Sequence, residues 1–135
     1  MRATLTLALA LGALALNRAA LSTGPGAELL TPTPERTAQT FVTSVAAHRP
    51  DQARARLTST AREAWSPARL RDLDRAWRDR DGEYRMTGGE ESRRGDRADL
   101  SARFQTARRG VVERRFSLER EADTALWKIA SIEEE

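Results

Sequence analysis

The chain contains no cysteine, one histidine and one lysine, and only 5% of its 135 residues are aromatic. Without thiols there are no disulfides, no thiolate zinc or iron-sulfur site and no lipid-modified N-terminal cysteine. A lone histidine, His48, leaves little for metal or acid-base chemistry, and the residues point to no catalytic group, metal or cofactor. The length is that of one domain, which excludes an enzyme with a separate cofactor domain. Lys128 being the single lysine among 23 basic residues reads as a compositional bias toward arginine rather than a choice for binding phosphate.

The chain does have an uncharged run from Ala3 to Leu16, built of Ala, Leu, Thr and Gly, preceded by Arg2 and closed by Arg18. A spanning helix needs about 20 apolar residues, so this run reads as a secretory signal and not an anchor. Small residues at Ala20 and Ser22 suggest cleavage after Ser22, with a cut after Gly26 as the alternative. Residues 1–22 then form a signal peptide, removed on export to the periplasm or the medium and leaving no transmembrane anchor. They hold two arginines and no acid, so the mature chain has 21 basic groups against 20 acidic ones and a net charge of +1 instead of +3. Such a balance does not imply nucleic acid.

Residues 23–33, rich in Pro and Gly, read as a flexible linker. Folding is expected over 34–135. Thr33 caps and Pro34 opens a first helix whose apolar residues Ala38, Phe41, Val42, Val45 and Ala46 recur at helical steps until His48. Ala53, Leu57, Ala61 and Ala64 mark a second helix. Ser66 and Pro67 start a third, with Leu70, Leu73, Ala76 and Trp77 inward, ending at Asp81-Gly82.

The period then changes to two. Tyr84 and Met86 alternate with polar residues up to Gly88-Gly89, a turn or bulge. Leu100, Ala102 and Phe104 form one half-buried strand, Val112, Phe116 and Leu118 the next, and Leu126 to Ile132 the last, before an acidic tail that discourages edge pairing. Helices followed by strands predict an α+β domain: three N-terminal helices packed on a curved four-stranded antiparallel sheet forming a cone.

The stretch AQTFVTSVAAHRPDQARARLTSTARE and the closing LWKIASI resemble the opening helices and last strand of the nuclear transport factor two-like superfamily, which includes SnoaL-like and ketosteroid-isomerase-like proteins and shares a cystatin-like cone. The resemblance covers about residues 34–134. It implies a pocket between helix and sheet, used by different members for catalysis, for small apolar ligands, or for no known purpose. Enzymatic members place an acid or a histidine inside the cone. Here the strand acids alternate with apolar residues and should point to solvent, which argues against catalysis.

Trp77, Tyr84, Arg114, Phe41 and Phe116 are the pocket candidates for a small apolar or anionic ligand. Arg114 falls between Val112 and Phe116 on the buried face, so it either holds a ligand anion or pairs with a helix carboxylate. The aromatics otherwise simply fill the core. Nine arginines between Ser92 and Arg120 face four acids, an arrangement that suits cross-strand ion pairs and, secondarily, an acidic partner or anionic surface. The sequence thus reads as an exported, noncatalytic binding or interaction module, with a pocket enzyme using Tyr84 and Arg114, or a homodimer formed through the sheet, as alternatives.

Overall fold

The computed structural model describes residues 32–133, so the expected signal peptide, all but the end of the expected linker and the last two acids lie outside it. Thr33 accepts a hydrogen bond from the Arg36 amide at 3.1 Å and Pro34 fills the first position of α1 (Pro34–Ala46), as its sequence predicts. Helices α2 (Pro50–Arg54), α3 (Ser59–Ala64) and α4 (Pro67–Asp81) follow. Ser66 caps α4 through the Arg69 amide, and Gly82, at φ 77°, turns the chain out of it.

The stretch expected as one second helix is divided into α2 and α3, and the interruption has a physical reason. Leu57, fully buried, forms a parallel bridge with Ile129 in the last strand. The Thr58 amide donates to the Ile129 carbonyl at 2.9 Å and the Ile129 amide to the Arg56 carbonyl at 2.7 Å. Burying Leu57 while pairing an otherwise open sheet edge outweighs a continuous helix whose remaining apolar residues are alanines. Thr58 then caps α3 through the Ala61 amide.

Strands β1 (Tyr84–Arg94), β2 (Arg97–Thr106), β3 (Gly110–Arg120) and β4 (Trp127–Ile132) form one antiparallel sheet in chain order. Gly88-Gly89 makes a bulge, not a turn: pairing shifts between Met86 and Gly88 and the strand continues to Arg94. At Gly89 a Cβ would lie 2.8 Å from the Ser101 carbonyl, so the close approach of β2 requires glycine. The bulge changes the facing of the second half of β1. Glu91, opposite Leu100, and Arg93, opposite Ala98, share the inner-face register and bond each other.

The helices cover one face of the sheet. Phe41 and Val42 of α1 and Leu70, Leu73 and Trp77 of α4 are buried with Leu100, Phe104, Phe116, Leu118 and Ile129 in one cluster. This is the α+β arrangement expected from the sequence. No helix among the described residues is long and apolar enough to cross a membrane.

Candidate functional site

All five pocket candidates meet in the space between α4, α1 and the sheet. Phe41 contacts Phe116 edge-on at 6.3 Å, and Trp77 stands edge-on to Tyr84 at 5.2 Å and to Phe104 at 5.3 Å. Phe104 stacks over Phe116 at 6.5 Å. The Arg114 guanidinium lies 4.7 Å from both the Trp77 and the Phe104 ring centroids. The position a ligand would take is thereby filled by Arg114 itself, whose side chain is 1% exposed.

A charge buried this far needs a partner, and the partner is a helix carboxylate. Arg114 donates through Nη2 to Oδ2 of Asp81, and Arg109 donates through Nε to Oδ1 at 2.6 Å. Asp81 is fully buried at the last turn of α4. Burial alone pushes its carboxyl up, but the hydrogen bonds and charges of Arg114 and Arg109 outweigh that and hold it below its ordinary value. Among the described residues Nη1 of Arg114 has no hydrogen-bond partner, and the guanidinium it belongs to lies against the Trp77 ring.

Two turns earlier on the same helix face, Asp74 is buried as well. Its Oδ1 accepts from the Tyr84 hydroxyl at 2.5 Å and from Arg78 Nε at 2.9 Å; its Oδ2 accepts from Arg78 Nε and from His48 Nε2, both at 3.1 Å. Four contacts use the acceptor capacity of the carboxylate. Since a carboxylate only accepts, His48 donates from Nε2. Burial first, and then the bond to Asp74 and its charge, push the Tyr84 hydroxyl far above its usual range, so it stays a donor. Tyr84 also borders an open depression of about 240 Å3 with Arg85 and Gln105.

Sequence reading places the strand acids outside the cone but misses Asp74 and Asp81. The signal was present in α4: Leu70, Leu73, Asp74, Trp77 and Asp81 recur at three- and four-residue steps, so both acids fall within the apolar stripe. His48, which the sequence places at the end of the first helix, occupies the left-handed position of a Schellman corner, at φ 60°. The Arg49 amide bonds the Ser44 carbonyl and the His48 amide that of Val45.

The arginine-rich sheet departs from the expected cross-strand pairing. Arg115 reaches Glu133 at 3.9 Å and Arg120 reaches Asp96 at 3.3 Å, whereas Arg94, Arg97 and Arg103 have no acid within ion-pair distance among the described residues. Asp99 accepts from Ser117, which faces it across the ladder, and Glu113, although Arg103 is its register partner, accepts diagonally from Ser101 instead. An outer-face groove of about 740 Å3 is lined partly by Ser92, Asp99, Ser101, Ser117 and Ser131. Of the five pocket candidates only Phe116 borders it. Val111 is the one large hydrophobic residue exposed among the described residues, at 59%.

No family model matches the chain, and no curated protein is similar to it in sequence. The fold is similar to that of a SEC-C motif containing protein from Rhodopseudomonas palustris, with a TM-score of 0.54 and 16% identity over 82% of this chain and 86% of that one. An NTF2-like protein of unknown function from Cytophaga hutchinsonii aligns with a TM-score of 0.40 and 8% identity, covering 76% of this chain and 92% of that one.

Proposed function

We propose that this chain is an exported, noncatalytic interaction module built on a nuclear transport factor two-like cone, its leader removed near Ser22 and its mature form acting in the periplasm or the medium. One observation carries the reading: Arg114, sandwiched by Trp77 and Phe104 and held by Asp81, fills the interior that related folds leave for a ligand. Binding then falls to the surface. A homodimer through the sheet draws less support, since its outer face offers serines and charges rather than a contiguous apolar patch.

Native mass spectrometry of the protein purified gently from its own host tests this reading. The expected result is a chain beginning near residue 23 with no small molecule retained. A ligand retained at one per chain, or an N-terminus at Met1, contradicts it.

A second reading, a pocket enzyme, is favoured by the inward Asp74 bonded to both Tyr84 and His48. Against it, Asp74 has no acceptor site left and Tyr84 spends its proton on Asp74, which leaves only the Nδ1 edge of His48 for a substrate. A turnover found by substrate screening and abolished by His48→Gln with the fold intact would decide for this second reading.

A further inference from the structure

Where the end of α1 meets the start of α4 there is a crevice of about 50 Å3. Val45, Leu70, Pro50 and Pro67 make its floor, and His48, Arg49 and Arg71 its rim. On a scale where one water needs about 10 to 15 Å3, it holds roughly three to five heavy atoms. No acid lines it. Neither Arg49 nor Arg71 has an ion-pair partner among the described residues, while Asp72 beside them is engaged by Arg75 at 3.1 Å and Asp74 is turned inward.

His48 is fixed at this rim at some expense in backbone energy. A non-glycine residue in the left-handed region is disfavoured, and the imidazole is further oriented by donating Nε2–H to Asp74. Nδ1 is left without a partner among the described residues. Two permanent cations, Arg49 and Arg71, and the edge of the His48 ring thus surround a small apolar floor.

We infer that this crevice binds the C-terminal residue of a partner polypeptide, with a valine-sized side chain on the floor and the terminal carboxylate at Arg49 and Arg71. The inference rests on the interaction-module reading and names its partner's chemistry. The floor calls for a branched aliphatic group of a few carbons. The rim calls for a carboxylate one or two bonds away. A C-terminal aliphatic residue carries both on one Cα, which an internal Asp or Glu does not. A free acid this small has too few heavy atoms to bind tightly, so useful affinity requires further contacts by an attached chain outside the crevice.

Fluorescence anisotropy of the processed protein with a dye-labelled glycine-serine hexapeptide ending in valine tests this. The free-acid peptide is expected to bind at least tenfold more tightly than its C-terminal amide and than the same peptide ending in glycine. Arg71→Ala and Arg49→Ala, both at exposed positions, each weaken the acid form at least fivefold and leave the amide unchanged. Equal binding of acid and amide, no binding of either, or full displacement of the peptide by micromolar isobutyrate overturns the inference. A ligand found inside the cone by mass spectrometry sinks the module reading whatever the peptides do, so the two failures are distinguishable.

Discussion

Arg114 on β3 and Asp81 on α4, thirty-three residues apart, form a buried ion pair that closes the space between helix and sheet. The arginine is as deeply enclosed as the phenylalanines around it, and the acid is reached by Arg109 from its other oxygen. The pair therefore acts as core, with charge in place of apolar volume.

Removing Asp81 strands the buried Arg114, whereas removing Arg114 leaves Asp81 with Arg109 alone. Asp81→Asn is expected to destabilise by about 3 to 5 kcal/mol in urea denaturation, because the Arg114 charge stays buried without its counter-charge, and Arg114→Met by less, because Arg109 still pairs with Asp81. The double variant should lose clearly less than the two single losses added together. Additive losses would mean that the two side chains do not interact.

Asp74 is served by Tyr84, Arg78 and His48 together. Tyr84→Phe removes one of these donors and is expected to lower stability by about 1 to 3 kcal/mol without unfolding the domain. Urea midpoints with an unchanged slope would confirm a local loss; an unchanged midpoint would show that the hydroxyl contributes nothing.

The left-handed backbone at His48 separates two effects. His48→Ala loses the bond to Asp74 and keeps the strained φ, whereas His48→Gly loses the bond and relieves the strain. The glycine variant should be the more stable of the two by about 1 kcal/mol, read by thermal or urea unfolding. The opposite order would contradict the corner geometry.

Asp81 sets a pH dependence of definite sign. Its carboxyl is held low in the fold, while in the unfolded chain an aspartate titrates near about 3.9. Its contribution is thus complete above the unfolded value and is lost as pH falls through the lower folded value. The stability gap between wild type and Asp81→Asn should narrow steadily as pH drops below about 4. A gap that widens in acid would reverse the assignment.

The helix caps, strand order and inward facing of Arg114 were legible because each depends on local pattern: Thr33-Pro34, Ser66-Pro67, and the two-residue alternation through Phe116. The division at Leu57 was not, since the competing attraction is β4, about seventy residues away in sequence and visible only once the sheet exists. Continuation of β1 beyond Gly88 was hidden for a similar reason, because the glycines serve the approach of β2 and not a turn. The five pocket candidates do come together, yet their contacts depend on Asp74 and Asp81, acids that composition assigns to solvent until the α4 stripe is traced residue by residue. Cross-strand pairing of arginines failed as a guide because serines, Ser117 directly opposite Asp99 and Ser101 diagonal to Glu113, reach these acids with fewer bonds to immobilise.

Nuclear magnetic resonance of the Trp77 indole N–H and the Arg114 Nε–H during titration with indole and with inorganic phosphate reads whether the interior is filled by its own side chains. In a filled interior both signals stay in place at millimolar probe. Saturable shifts of both signals at one probe per chain would contradict it and make the interior a binding site.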